Sequence, residues 1–333
     1  ERAGEGRRKL WFLLEADRWL VTAVLMSVVF ISLTAAGYLL PVAEETLLDS
    51  DSVDTLFQGF LTATITGVTL VLTLNQLVLS QELGSVSDQR ERMEGALEFR
   101  SDTADTMDSP VSPARPSRFL RALIRESGRS AERLRDSVEG GDEDIAEEVE
   151  SLADGLVENA DRVSEGLGGA QFGGFDVVSS ALNFNYSGKL FAARRIRERY
   201  GDRLGETAMD EVEHLAELLK TFGLAREHFK TLYFQWSLIN LSRRILVASV
   251  PALVVSSAMV LFFDTAAYTR LGGGAVVLVV AAVTVSVSPF MILLAYVLRI
   301  ATVTKHTLSI GPFILRRDDE VAEVDPSEDR SGG

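Results

Sequence analysis

A line of hydroxyl and amide side chains runs along the apolar segment that follows Asp54. Its eight members are separated by three or four residues and are Thr55, Gln58, Thr62, Thr66, Thr69, Thr73, Gln76 and Ser80. Because successive helical residues turn by about 100°, this spacing predicts that all of them share a helical arc of roughly 80°. We call this set the polar line. Hydroxyl and amide oxygens replace part of an ion's hydration shell without holding the ion tightly, which suits passive conduction.

Two interpretations of the polar line stay open. In the first, six central members line a path for inorganic ions, namely Gln58, Thr62, Thr66, Thr69, Thr73 and Gln76. In the second, each Thr hydroxyl bonds a backbone carbonyl three or four residues back, and the line packs dry against other helices. A Gln amide in hydrocarbon needs water or a partner for two donors and one acceptor, which favours the first interpretation.

The same segment carries small residues along one flank. Gly59, Ala63 and Gly67 have the small-xxx-small spacing that lets helix backbones approach closely in a membrane. We call them the small-residue line. We expect it to hold copies of the chain together as a homo-oligomer while the polar line faces a shared axis.

Acidic residues precede this segment and form a predicted outer mouth. They are Glu44, Glu45, Asp49, Asp51 and Asp54. Multiplied by copies, they would make a negative ring that favours cations. General surface acidity explains the same residues, and molar salt would screen such a ring within about 3 Å.

Other chemistry is disfavoured by what the sequence lacks. No ionisable residue lies in the hydrocarbon part of any predicted span, which argues against a pump or secondary transporter. The three His are scattered, Cys is absent, and no nucleophile or phosphate-loop motif occurs. We therefore expect no catalytic residue, no metal site, no cofactor and no enzyme.

Four apolar runs are long enough to cross a bilayer as helices, which takes roughly 20 residues. They run from Trp19 to Val42, Thr55 to Ser80, Ile245 to Phe263 and Gly274 to Ile300. Lys and Arg lie before the first run, after the fourth run, and at both ends of the long connection between the second and third runs. The positive-inside rule therefore predicts a multi-pass protein of the plasma membrane with both termini cytoplasmic. In the fourth run, Pro289 predicts a kink, either static or acting as a gating hinge.

The predicted organisation is all-α, with a helical cytoplasmic domain between spans 2 and 3. Residues 1–18 form a cytoplasmic segment, 19–80 hold helices 1 and 2, 81–244 form the domain, 245–300 hold helices 3 and 4, and 301–333 form a cytoplasmic tail. Residues 100–117 contain three Pro without apolar periodicity, which predicts a flexible linker.

Three further segments of the domain have distinct patterns. Apolar residues at helical spacing mark one helix from Ile145 to Leu167, and others mark a second from Met209 to Tyr233 that can continue to Pro251. Between them, "FGGFDVVSSALNFNYSGKLF" is rich in aromatic residues. This segment fits either the membrane surface beneath a pore mouth or buried packing inside the domain.

The composition limits the classes of partner that we expect the chain to bind. Asp and Glu outnumber Lys and Arg by 48 to 33, giving a formal net charge of −15. No basic patch stands out, so we expect no nucleic-acid partner. The acidic, Lys-poor bias resembles that of proteins from salt-loving archaea, in which carboxylates keep surfaces hydrated. The lipid bilayer, inorganic ions and further copies of the chain remain as expected partners.

The order of parts resembles that of bestrophin channels. Shared features are four spans with both ends inside, a polar-faced second span, and a helical insert between spans 2 and 3. The resemblance implies a pentamer whose second span lines the pore. Bestrophins narrow that pore with apolar residues, whereas this chain has Thr and Gln from Thr62 to Gln76, and their calcium cluster is not recognisable here. We therefore do not expect anion selectivity or calcium gating of this chain, and we assign no residue a role from the resemblance.

The sequence thus supports two hypotheses. One is a homo-oligomeric ion channel lined by the polar line. The other is a non-conducting membrane scaffold or sensor whose cytoplasmic helices bind a protein partner.

Overall fold

The computed structural model describes residues 16–40, 50–82, 84–169, 175–263 and 274–307. Throughout these ranges the regular structure is helical, as the sequence predicted. In chain order the helices are α1 (Arg18–Leu39), α2 (Ser50–Glu82), α3 (Val86–Thr106), α4 (Pro116–Val138), α5 (Glu143–Gly168), α6 (Phe175–Leu182), α7 (Tyr186–Tyr200), α8 (Glu206–Phe262), α9 (Gly274–Ser286) and α10 (Ser288–Thr307).

The chain divides into two compact units. The first unit comprises Glu1–Ser87 and Phe234–Val303, and the second comprises Asp88–Tyr233 and Thr304–Gly333. This division assigns α1, α2 and α9 to the first unit, and α4 to α7 to the second. Helix α8 contributes to both, because the division falls at Phe234. The predicted continuous helix from Met209 to Pro251 is confirmed within α8.

Several helices of the first unit are long and apolar enough to cross a bilayer. Three qualify singly, over Arg18–Leu39, Asp51–Leu77 and Glu206–Phe262. The pair Gly274–Ser286 and Ser288–Val303 qualifies together as a broken span, which raises the number among the described residues to four. The chain is therefore a membrane protein by the length and composition of its helices.

The predicted kink near Pro289 is present as a bend of 48° between α9 and α10. Proline has no amide hydrogen and cannot bond the carbonyl four residues earlier, which opens the helix at this point. The Ser286 hydroxyl lies 2.8 Å from the hydroxyl of Ser256 on α8 and is buried there. The bend is thus packed against a neighbouring helix, and a hinge role stays a prediction.

Apolar clusters hold the helices of the first unit together. One cluster joins Val53 and Phe57 of α2 to Met259 of α8 and Val283 of α9. Nearer the other end of α2, Val71 packs with residues of α8 and α10. Helix α1 approaches α9 closely, since a Cβ added to Gly37 would lie 2.6 Å from Val276 Cγ1.

The core of the second unit confirms the predicted apolar stripe of α5. All seven members are buried, namely Ile145, Val149, Leu152, Leu156, Ala160, Val163 and Leu167. They belong to one cluster with residues of α4 and α8, including Leu123 and Leu215. The turn between α4 and α5 uses Gly140 at φ +76°, a backbone conformation that glycine adopts without steric cost.

The predicted linker over residues 100–117 differs from the observed structure. Helix α3 continues to Thr106, and α4 already begins at Pro116. The connection between them includes Met107 and Ser112, which are buried. Arg100 fixes the connection by donating from Nη2 to the Ser112 carbonyl at 3.0 Å. Long-range contacts, which sequence periodicity does not report, thus order this segment.

The aromatic-rich segment also has a definite environment. From residue 175 onward, α6 buries Phe175, Val178 and Leu182, and Phe184 behind it is 1% exposed. The Phe184 ring packs edge-on against Phe222, with centroids 4.8 Å apart. Buried packing inside the second unit is therefore the correct alternative for the described part of this segment.

Candidate pore-lining site

Helix α2 has one face that packs inside the protomer. Val53, Phe57, Thr64 and Val71 are its buried residues, at spacings of four, seven and seven. At about 100° per residue these positions fall on one narrow side of the helix. The apolar clusters with α8, α9 and α10 form on this side. The packing of the first unit therefore fixes which way the rest of α2 points.

The polar line lies on the opposite side of α2. All eight members are exposed in the protomer: Thr55, Gln58, Thr62, Thr66, Thr69, Thr73, Gln76 and Ser80. From helical geometry, the centre of the polar line is roughly 160° from the centre of the buried face. The structure therefore brings the six predicted pore-lining residues together on one surface that no other described part of the protomer covers.

Most hydroxyl hydrogens of the polar line are used within α2. Thr62 donates to the Gln58 carbonyl at 3.1 Å, and Thr66 donates to the Thr62 carbonyl at 2.8 Å. Thr69 and Thr73 each donate four residues back at 2.9 Å. A hydroxyl that donates its only hydrogen keeps its oxygen lone pairs. The line therefore presents acceptor oxygens, which suit a cation better than an anion.

The amides of the polar line behave differently. The side-chain amides of Gln58 and Gln76 make no hydrogen bond within the described residues. Each amide carries two donor hydrogens and an acceptor oxygen. Leaving such groups unpaired in hydrocarbon costs several kcal/mol, about 2–7 by transfer measurements. Water or a second chain must satisfy them if α2 crosses a bilayer.

The small-residue line is divided between two environments. Gly59 and Ala63 are exposed, and a Cβ added to Gly59 would meet nothing within 4 Å. Gly67 is half-buried, and a Cβ added there would lie 3.6 Å from the Phe290 ring of the same protomer. Two of the three predicted packing residues are thus free to contact another copy, and the third packs internally.

The predicted outer mouth is described only in part. Glu44, Glu45 and Asp49 lie outside the described residues. Asp51 is exposed and Asp54 is half-buried, and both lie in the first turns of α2. Negative charges at a helix N-terminus stabilise the helix through its dipole, by about 0.3–1 kcal/mol each. Asp51 lies in the first turn, so this local role accounts for Asp51 without a ring.

Sequence reasoning missed a cluster of arginine and aromatic side chains in the first unit. The Arg244 guanidinium lies 4.9 Å from the Trp19 ring centroid and 5.6 Å from that of Tyr296. Arg18 lies 4.9 Å from the Tyr296 centroid. The available signal was the Arg243-Arg244 pair directly before an apolar run, combined with Trp19 at the start of another.

No metal site occurs within the described ranges, where no group of three or more His, Asp or Glu residues is arranged to hold an ion.

An all-helical chain with several membrane-length apolar helices defines a membrane protein. The chain belongs to a family of unknown function, DUF7972, whose family model matches residues 1–328. No curated protein and no solved structure matches the chain significantly.

Proposed function

We propose that the protein is a homo-oligomeric ion channel in which α2 lines the conduction path. The observation that carries this proposal is the position of the polar line, which is exposed and lies opposite the face that α2 packs inside the protomer. A protomer alone in a bilayer would turn this line toward lipid. Assembly of several copies around a shared axis gives the line a common aqueous environment.

The Gln amides of the polar line, rather than its Thr hydroxyls, require water or a partner inside a bilayer. The Thr hydroxyls that donate to α2 carbonyls tolerate lipid, because their hydrogens are already bonded. Gln58 and Gln76 have no such internal partner among the described residues. Because unpaired amides in hydrocarbon are costly, a water-filled path that reaches both ends of the line stabilises the assembly.

Passive conduction of cations fits the chemistry of the line. It has no ionisable member, and transport coupled to protons or substrate ordinarily uses one within the membrane. Hydroxyl oxygens with their hydrogens turned to the helix offer lone pairs to a cation. Neutral oxygens at many levels bind an ion weakly enough to let it leave, as conduction requires.

The proposed topology has four spans, with the α9–α10 pair as the fourth. Both termini and the second unit lie in the cytoplasm, and the membrane is the plasma membrane. Arg90 and Arg92 after α2, and Arg243 and Arg244 before the apolar part of α8, support this orientation through the positive-inside rule. The resemblance to bestrophins makes a pentamer the first assembly to test.

A non-conducting scaffold or sensor is the second candidate. One observation favours it: Thr62, Thr66, Thr69 and Thr73 donate to carbonyls of their own helix and need no water. In that case the polar line packs dry against another chain, and the Gln amides bond across the interface.

Cysteine accessibility separates the two candidates, because the native chain contains no Cys. Thr69→Cys tests the polar line, and Leu70→Cys is its matched control, since Leu70 is 62% exposed in the protomer but lies about 100° away around the helix. In intact liposomes, the channel predicts reaction of Thr69→Cys with a small hydrophilic thiol reagent and protection of Leu70→Cys. Protection of both would favour the scaffold.

A further inference from the structure

A groove of about 660 Å³ lies in the first unit between α1, the later part of α8 and α10. Its two ends differ in character. Arg243 and Arg244 lie at one end, and Val247 and Pro251 line it further along α8. The separation of seven positions between Arg244 and Pro251 corresponds to about 10 Å along the helix axis. The groove thus changes from cationic to apolar over this distance.

Aromatic rings hold one of the two guanidinium groups in place. Arg244 lies against the faces of Trp19 and Tyr296, at 4.9 and 5.6 Å from their centroids. Ring faces attract a cation through their quadrupole but carry no net charge. The positive charge of Arg244 is therefore oriented without being neutralised.

Neither arginine of the pair has a carboxylate partner in the part of the chain that the structure describes. Within the described residues, Arg243 and Arg244 form no ion pair and donate no hydrogen bond. Arginines of the second unit differ, since Arg195 lies 2.5 Å from Glu148 and Arg133 lies 2.9 Å from Glu211. In a chain of net charge −15, two adjacent arginines without an ion-pair partner among the described residues form a local site of opposite sign. Their ten N–H donors match the oxygens of a phosphate, with about five donors per guanidinium.

The remaining wall of the groove is suited to hydrocarbon. Ala23 and Met26 of α1 face the groove together with Val247, which is 67% exposed, and Pro251 of α8. The apolar run of α8 begins at Ile245, directly after the two arginines. The cationic end therefore lies where a membrane helix meets the headgroup layer.

We propose that this groove binds one anionic phospholipid. Its phosphate bonds Arg243 and Arg244, and an acyl chain lies along α8 toward Pro251 between α1 and α10. Charge complementarity selects the phosphate, and the apolar wall selects a lipid over a free anion. Basic pockets between membrane helices bind anionic headgroups by this combination of contacts. A bound lipid joins three helices of the first unit and stabilises their packing.

Quenching of Trp19 by brominated lipid tests the site. Trp19 becomes the only tryptophan in a Trp11→Phe/Trp236→Phe background. The protein is placed in phosphatidylcholine vesicles that contain a minor fraction of either brominated phosphatidylglycerol or brominated phosphatidylcholine. We expect quenching by the brominated phosphatidylglycerol to exceed that by the brominated phosphatidylcholine by about twofold or more, as selective occupancy of one site requires.

Two charge-matched variants assign the excess to the groove. Arg243→Gln/Arg244→Gln removes the phosphate donors and is expected to abolish the difference between the two lipids. Arg129→Gln/Arg162→Gln removes two exposed arginines of the second unit and is expected to keep it. Equal quenching by both lipids in the unsubstituted groove would overturn the proposal, as would loss of the excess in both variants. A second measurement does not depend on whether the variants fold: we expect the purified wild-type protein to retain phosphatidylglycerol, measured by lipid extraction.

Discussion

Thr64 and Thr73 lie on opposite faces of α2 and occupy opposite environments. They are nine residues apart, which is a half-turn of the helix at about 100° per residue. Thr64 is 2% exposed, and its buried hydroxyl has no hydrogen-bond partner among the described residues, whereas Thr73 is exposed and donates to the Thr69 carbonyl at 2.9 Å. The same side chain therefore serves packing on one face and, in the proposed channel, an ion path on the other.

Gly59 offers a test of assembly that leaves the protomer intact. A Cβ at this position meets nothing within 4 Å in the protomer, so Gly59→Leu is expected to fold. If copies of α2 approach closely along the small-residue line, the larger side chain costs about 1–3 kcal/mol, which raises the dissociation constant by about 5- to 150-fold. Chemical cross-linking and light scattering in detergent measure the assembly.

Gly95→Leu is the matched control for Gly59→Leu, because Gly95 lies on α3 and its added Cβ is equally free of neighbours. We expect Gly95→Leu to leave the assembly unchanged. An unchanged assembly in Gly59→Leu as well would show that the small-residue line is not an interface.

Gly223 is expected to be intolerant of even one methyl group. A Cβ there would lie 2.5 Å from Cε2 of Tyr186, whose ring also has the Arg226 guanidinium 4.6 Å from its centroid. Displacing the ring disturbs both contacts, so Gly223→Ala is expected to lower stability by about 1–3 kcal/mol. Thermal unfolding of the full chain in detergent measures the effect.

Gly95→Ala is the matched control for Gly223→Ala, and we expect it to raise thermal stability rather than lower it. It has open space in a helix, and alanine is the better helix former by about 0.8–1.0 kcal/mol. Its melting temperature should rise slightly. A fall of similar size in both variants would contradict the steric explanation for Gly223.

Glu227 links the stability of the second unit to pH. Burial alone would raise the pKa of its carboxyl, but hydrogen bonds from Lys230 and Arg226 outweigh burial and hold the pKa below its usual range. A carboxyl with a depressed folded pKa contributes stability above the unfolded value of about 4.3. This contribution is lost as the pH falls through the folded pKa.

We therefore expect Glu227→Gln to be less stable than wild type at neutral pH, with a difference that shrinks in acid. Melting temperatures in detergent from pH 7 downward measure this difference. Glu217→Gln is the control, since Glu217 and Lys220 form a pair in which both side chains are 52% exposed, and such pairs contribute little. A constant difference across the pH range would rule out the ionised carboxyl as its cause.

Sequence periodicity predicted the elements whose apolar residues repeat at helical spacing. The stripe from Ile145 to Leu167 and the helix through Tyr233 are both present. Helix α3 was missed because its surface is polar and its order comes from distant contacts such as Arg100 with Ser112. Periodicity detects a difference in hydrophobicity between the two faces of a helix. It does not detect a helix such as α3, whose faces are both polar.

The candidate site could likewise be predicted only in part from the sequence. Spacing alone placed the polar line on one face of α2, and the structure adds which face packs inside the protomer. The arginine and aromatic cluster was out of reach, because Trp19, Arg244 and Tyr296 come from three helices. Neighbours that are distant in the chain are set by tertiary packing, which one sequence does not reveal.

Conductance of the purified protein in planar bilayers shows whether α2 lines an ion path. Thr69→Val/Thr73→Val keeps the shape of both side chains and removes two oxygens from the polar line, and Thr64→Val removes one from the buried face. We expect the wild type to conduct and Thr64→Val to conduct at nearly the wild-type level. The double variant should conduct roughly fivefold less or lower still, because each lost contact costs about 0.5–1.5 kcal/mol. A silent wild type, or equal conductance in all three proteins, would contradict the assignment of α2 to an ion path.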